Sequence, residues 1–345
     1  MIQTAIIGYG LSGQVFHGAL LETLDDFNVH TVVTTDPEKK MHAMQQHPSA
    51  HVVDDPDAMF ADDQIDLVVI STPNTYHHPL AKKALRAGKH VIVEKPFTVN
   101  SEEAEDLIKT SAQANRMLTV YQNRRYDSDF MTLQQVIASR ELGEIRLFES
   151  AFDRFRPEVN LSAWREKQLP GSGILYDLGA HLIDQTVALF GLPVSLYADV
   201  QSLRGGSVDD HFEIVLDYPD MKATLTSRPL IKEPLPRFAI HGLKGSFVKY
   251  GLDVQEDDLK AGKRRTDNTW GEEPESQWGI LNTTSRRVTI PSLPGNYYAF
   301  YEAVHAHLTG GSPMPITAQD GKNVIRMIEL AIESSQTGCK VRFNG

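Results

Sequence analysis

Short apolar runs alternating with amphipathic stretches dominate the first 120 residues. Thr4-Ala5-Ile6-Ile7, Val29 to Val33, Leu67 to Ile70, His90 to Val93 and Leu118 to Tyr121 are short, mostly apolar runs, and Leu67 to Ile70 is apolar throughout. That is the pattern of strands buried on both faces, because a strand with one wet face would show polar residues at every second position. Between the later runs, Leu80 to Ala87 and Glu102 to Asn115 carry helical periodicity, and Gly88 and Asn115 fall where a helix would end. Strands alternating with helices predict an α/β domain, a doubly wound parallel sheet covered on both sides.

From about residue 145 the period changes. Phe212, Ile214, Leu216 and Tyr218 alternate with Glu213, Val215 and Asp217, the signature of a half-buried antiparallel strand. Met221 to Ser227, Arg237 to His241 and Ser246 to Tyr250 behave alike, with Tyr218-Pro219-Asp220 as a turn signal. The second part is therefore expected to be an α+β domain with an open, mostly antiparallel sheet, and the expected domains are 1–121 and 122–345. Gln255 to Gln277 is so polar that it reads as a solvated insertion. Asp320 to Ser335 closes the chain with a helical apolar stripe through Val324, Ile325, Met327, Ile328, Leu330 and Ile332.

Composition narrows the function class. A net charge of −11 lacks the basic footprint that nucleic-acid binding requires. The single cysteine, Cys339, excludes an internal disulfide and a thiolate zinc cluster. No apolar run is long enough to span a bilayer, and Met1-Ile2-Gln3 leads straight into the first strand pattern without a basic n-region. A cytoplasmic protein without membrane or nucleic-acid partners is expected.

Candidate chemistry sits at the ends of the apolar runs. Gly8-Tyr9-Gly10-Leu11-Ser12-Gly13 follows the first strand and opens a helix, the context in which Gly-x-Gly-x-x-Gly cradles a dinucleotide pyrophosphate. Gly8, Gly10, Leu11, Ser12 and Gly13 are therefore coenzyme candidates. The second strand ends Val33-Thr34-Thr35-Asp36. If Thr34 and Thr35 stand where an acid would hold the ribose hydroxyls, nothing repels a 2′-phosphate and NADP is favoured. If the register runs later, Asp36 restores NAD. Thr72-Pro73-Asn74, with His77 nearby, follows the fourth strand, where the ligand crevice of such sheets lies. Glu94 and Lys95 end the next strand, and a lysine there can stabilise an alkoxide forming beside the nicotinamide. Asp177 and His181 lie four apart in a helical pattern. A histidine suits proton abstraction from an alcohol, and an acid beside it would orient and charge-stabilise the ring. Asp177, His181 and Asp184 match no metal-ligand pattern, and no metal is expected.

These motifs together resemble the Gfo/Idh/MocA oxidoreductases, over essentially the whole chain. The resemblance rests on Gly8 to Gly13, Thr72-Pro73-Asn74, Glu94-Lys95-Pro96 and the Asp177…His181 pair. Phe16-His17-Gly18, Tyr121 to Asp127, Phe152 to Pro157, Trp164-Arg165-Glu166, Ile174 to Gly179 and Gly245 to Gly251 are similar to the NADP-dependent scyllo-inositol dehydrogenase branch. The resemblance implies an N-terminal Rossmann domain and a C-terminal α/β domain. It also implies Lys95, Asp177 and His181 as the catalytic set, and Asn123 joins the coenzyme candidates within its segments. Arg154, Arg156, Trp164, Arg165 and Tyr176 are expected to wall the substrate. The implied activity is reversible oxidation of a secondary alcohol on a small polyol or sugar, with NADP preferred and NAD possible, in a homodimer or homotetramer built through the C-terminal sheet. The alternatives are a catalytically silent ligand sensor of the same fold and an NAD-dependent glycosidase.

Overall fold

The continuous apolar runs become strands where the pattern places them. In the computed structural model, which describes residues 1–160 and 166–343, they are β1 (Ile2–Ile7), β2 (Phe27–Val33), β3 (His51–Val53), β4 (Leu67–Ile70), β5 (His90–Val93) and β6 (Leu118–Val120). They pair in parallel in the order β3-β2-β1-β4-β5-β6. Every side chain of β4 is fully buried, which is why the run carries no polar position. The helices expected near residues 80 and 102 are His77–Arg86 and Ser101–Ala114. Asn115 ends the second in the left-handed conformation at φ 50°. The strand order reverses between β1 and β4, so the loops after those two strands flank the switch point at which such sheets bind ligands.

The residues divide into two compact units. The first comprises 1–123, 255–270 and 296–322, the second 124–254, 271–295 and 323–345. Two later segments thus return to the first unit, beyond a single boundary after residue 121, and the aromatic residues explain why. Phe27 meets Tyr301, Tyr121 meets Phe300 and Phe16 meets Tyr297, with ring centroids 5.5, 4.8 and 6.1 Å apart. Tyr297, Tyr298, Phe300 and Tyr301 are all buried.

The expectation of a solvated insertion at 255–277 holds for the exposed middle, 265–269, and is corrected at Gln255, Asp258, Leu259 and Glu273, which are buried. Gln255 is fully buried and its amide oxygen accepts the Tyr297 N–H at 2.7 Å. Within the second unit, Glu273 pairs with the buried Lys249 at 2.7 Å and accepts the Ser128 hydroxyl. Polar residues that carry their own partners inward leave no trace in a hydropathy pattern.

The second unit holds a nine-stranded sheet of β7 (Ile145–Ala151), β8 (Ser195–Gln201), β9 (His211–Asp217), β10 (Lys222–Ser227), β11 (Phe238–Gly242), β12 (Gly245–Lys249), β13 (Gly279–Thr283), β14 (Arg287–Ile290) and β15 (Val341–Arg342). The order is β14-β13-β12-β11-β7-β10-β9-β8-β15, antiparallel except for the β7–β10 pair. Alternate residues face the core: Phe148, Phe212, Ile214, Leu216, Leu225, Phe238, Ile240 and Phe247 are buried. The Ala180–Phe190 helix packs on that face, and Phe190 meets Phe148 edge-on at 5.2 Å. The opposite face carries the row Tyr197, Val215, Thr224 and Glu149 in register across β8, β9, β10 and β7. Among the described residues no helix is long and apolar enough to cross a membrane.

Candidate active site

Backbone geometry at the glycine loop identifies a coenzyme cradle. Gly8 turns the chain out of β1 at φ 89°, and a Cβ there would stand 2.6 Å from the Ser71 carbonyl oxygen. A Cβ on Gly13 would stand 2.3 Å from the Gly8 carbonyl oxygen. Gly10 differs, because a Cβ would meet nothing within 4 Å. Two glycines thus let backbone meet backbone, and the middle one faces open space. Ser12–Leu21 then runs as a helix whose first seven residues, Ser12–Gly18, are π-wound. Across the switch point, the buried Ser71 and Thr72 hydroxyls make no hydrogen bond among the described residues. Open space at Gly10, a helix start and two unsatisfied hydroxyls fit the phosphates of a dinucleotide.

At the end of β2 the backbone resolves the register. Thr34 directly follows the strand, its N–H bonds the Val53 carbonyl at 2.9 Å, and Thr35 is exposed. Asp36 caps the Pro37–Gln46 helix, accepting the Glu38 and Lys39 N–H groups at 3.0 and 3.2 Å, and pairs with the Lys39 ammonium at 3.0 Å. The hydrogen bonds from Lys39 hold its carboxyl below the usual range. The carboxylate is committed to the helix start.

Glu94 and Lys95 follow β5 directly. Burial would raise the Glu94 pKa, but hydrogen bonds from His17 and Ser12 overcome it and hold the carboxyl low. Glu94 Oε1 faces His17 Nε2 at 3.0 Å and takes the Ser12 hydroxyl; Oε2 accepts the Lys95 N–H at 2.9 Å. The other His17 nitrogen lies 2.6 Å from the Tyr301 hydroxyl. The Lys95–Pro96 bond is cis. His77, a coenzyme candidate by sequence, is fully occupied here: Nδ1 stands 2.9 Å from the Pro96 carbonyl oxygen and Nε2 2.9 Å from that of Thr72. Burial pushes its pKa down, against the two carbonyls. Asn74 and Asn123 are also buried in this unit.

In the second unit, Asp177 lies in the π-wound turn Leu175–Gly179, and His181, 4% exposed, in the helix Ala180–Phe190 that continues it. π-turns of this kind recur at functional sites. Asp209 anchors the start, accepting the Leu175 N–H at 2.7 Å, and burial pushes its pKa up to about 6. Asp184 is held by both nitrogens of an Arg125 fork at 2.8 and 2.7 Å, which opposes its use as a metal ligand. Arg154 stacks over Phe152 at 5.0 Å, Arg156 is exposed, and Tyr176 neighbours Asp177 in the turn. Trp164 and Arg165 lie outside the described residues.

The coenzyme candidates and Lys95 therefore gather in one unit, and Asp177, His181, Arg154, Arg156 and Tyr176 belong to the other. Sequence reasoning missed Tyr301 and Asp209, while Ser71 opens the Ser71-Thr72-Pro73-Asn74 segment that the sequence places at the ligand crevice. His17, inside Phe16-His17-Gly18, also carried a signal.

The profile described as "Oxidoreductase family, NAD-binding Rossmann fold" matches residues 2–122, and "Oxidoreductase family, C-terminal alpha/beta domain" matches 134–343. The chain belongs to the Gfo/Idh/MocA oxidoreductase family. It is 39% identical over 97% of its length to scyllo-inositol 2-dehydrogenase (NADP(+)) IolW of Bacillus subtilis, covering 94% of that protein. It is 43% identical to the oxidoreductase YdgJ of Escherichia coli over 97% of this chain and 96% of YdgJ. The solved structure of the oxidoreductase yvaA from Bacillus subtilis superposes with a TM-score of 0.95 at 38% identity, over 100% of this chain and 99% of that one. This member of the family is an NAD(P)-dependent dehydrogenase.

Proposed function

We propose that the protein is a cytoplasmic enzyme that reversibly oxidises a secondary alcohol of a cyclitol or sugar, inositol-like in class, to a ketone, with NADP preferred over NAD. The observation that carries the reading is Lys95 at the carboxyl end of β5, on the strand beside β4 and the glycine-lined switch point. A cation there suits the oxygen of a carbinol presented to a bound nicotinamide. When bound, the coenzyme supplies the hydride acceptor. His181 removes the hydroxyl proton, Lys95 stabilises the alkoxide, and Asp177 orients the imidazole and favours its charged form. Gly8, Gly10, Leu11, Ser12, Gly13, Thr34, Thr35, Thr72, Pro73, Asn74, Glu94 and Asn123 form the coenzyme site in this reading. Arg154, Arg156, Trp164, Arg165 and Tyr176 form the substrate wall, the arginines donating to vicinal hydroxyls and the aromatics covering ring C–H surface.

NADP preference is supported by Thr34, rather than an acid, directly after β2 and by the engagement of Asp36 with the helix start and the Lys39 ammonium, which partly offsets its charge. The name of the relative IolW agrees. Assembly into a homodimer or homotetramer through the outward sheet face is supported by Tyr197, 43% exposed beside Val215.

The test is coenzyme reduction by the purified protein with NADP and with NAD against a panel of inositols and aldoses. Turnover of at least one polyol, with the higher kcat/KM for NADP, is expected. Tight coenzyme binding with silence across the panel would overturn the reading in favour of a sensor. Lys95→Ala should lower kcat by about 10³-fold or more while coenzyme still binds; near-normal turnover would remove Lys95 from the mechanism.

A further inference from the structure

Two buried histidines bracket the Glu94-Lys95-Pro96 segment, and neither is needed for the chemistry assigned above. On one side His17, fully buried, reaches Glu94 Oε1 with Nε2 at 3.0 Å and the Tyr301 hydroxyl with Nδ1 at 2.6 Å. Burial and the Glu94 charge raise the Tyr301 pKa well above the usual phenol range, so its hydroxyl keeps its proton. Tyr301 then donates to Nδ1, and Nε2–H donates to the carboxylate, which fixes one tautomer of the ring. The same carboxylate takes the Ser12 hydroxyl and the Lys95 N–H. On the other side His77, 1% exposed, spans the Pro96 and Thr72 carbonyl oxygens at 2.9 Å each. The segment is tied through Glu94 to the glycine loop after β1, and Pro96 faces His77, the first residue of the helix after β4.

We propose that His17 and His77 are positioning residues that hold the backbone of Lys95 from both sides and so aim its ammonium at the reacting oxygen. This rests on the dehydrogenase reading. Lysine has four rotatable side-chain bonds, and its usefulness to an alkoxide depends on where its Cα is held. An ångström of drift in a group that must meet a developing charge costs rate rather than affinity for the coenzyme.

The geometry makes a regiospecific prediction, because Asn mimics the Nδ1 of histidine and Gln mimics Nε2 in reach and donor capacity. At position 17 the essential contact is Nε2 to Glu94. At position 77 a neutral ring has one N–H for two carbonyls, and the clamp requires it on Nδ1, toward Pro96. His17→Gln should therefore keep a kcat at least about tenfold above that of His17→Asn, and His77→Asn at least about tenfold above His77→Gln. Coenzyme Kd, by fluorescence titration of the reduced coenzyme, should change at least about fivefold less than kcat across all four. A fold-filling role would rank both substitutions at a site by size alone. Equal kcat within either pair, the reverse order, or a Kd that rises in step with the loss of kcat would overturn the proposal.

A second measurement stands apart from turnover. Hydrogen exchange of the Lys95 amide, followed in ¹⁵N-labelled protein, should be at least about tenfold faster in His17→Asn than in His17→Gln, since that N–H is held by Glu94. Indistinguishable rates would overturn the clamp. If the unsubstituted protein turns over no polyol, the dehydrogenase reading fails, and the amide rates alone decide the clamp.

Discussion

Gly10 and Gly13 lie three residues apart, yet a methyl group would act differently at each. At Gly13 the added carbon would be driven to 2.3 Å from a backbone carbonyl oxygen, so the helix must leave the strand. Gly13→Ala should lose about 2–4 kcal/mol in denaturant unfolding, in the range of strained core substitutions. At Gly10 the space is open. Gly10→Ala should unfold within about 0.5 kcal/mol of the unsubstituted protein yet weaken coenzyme binding by about tenfold or more, because the backbone can no longer approach the pyrophosphate. Equal coenzyme affinity in Gly10→Ala would remove the cradle. Both glycines were legible in the sequence, since their spacing and position after a strand are local facts. The hydroxyl of Ser12 was not, because its partner Glu94 is 82 residues away. The surroundings of His77 were hidden for the same reason, since Pro96, one of the two carbonyls it faces, is 19 residues away.

The helix that carries Asp177 and His181 is the element on which the proposed proton transfer depends. Its start is tied to Asp209, whose carboxyl burial raises to about 6. The sign follows from linkage. A carboxyl with a folded pKa above its unfolded value binds more protons when folded, so stability falls as pH rises between the two values. From about pH 4 to about pH 6 this group should cost on the order of 2 kcal/mol. Asp209→Asn, which still accepts the Leu175 N–H, should flatten that slope in urea unfolding at the two pH values. An unchanged slope would refute the assignment. The four-residue spacing of Asp177 and His181 was readable as helix. The π-wound turn Leu175–Gly179 was not, since an extra residue in a turn is set by what packs beneath it. Strand bounds were read closely: β4 and β5 match the runs residue for residue, β4 because all four of its residues are apolar and buried, β5 because Val91 to Val93 are and only His90 at its start is half-buried.

For the whole molecule, the outward face of the nine-stranded sheet makes the prediction. In a homo-oligomer built through it, Tyr197→Arg combined with Val215→Arg should lower the mass seen by light scattering to that of one chain, with unfolding shifted by no more than about 1 kcal/mol. A single-chain mass for the unsubstituted protein would defeat the proposal outright. The class of each sheet was determined along the chain, because period two and continuous apolar runs are properties of neighbouring residues and survive without knowledge of the partner strand. So were the glycine loop and the strand-end lysine, which owe their meaning to the element just before them. Tertiary structure decided the rest: the return of 255–270 and 296–322 to the first unit, the burial of Glu273 against Lys249, and the bracketing of Lys95 by His17 and His77. Each depends on a partner far away in sequence, and a polar residue satisfied by such a partner has the same local pattern as one facing water.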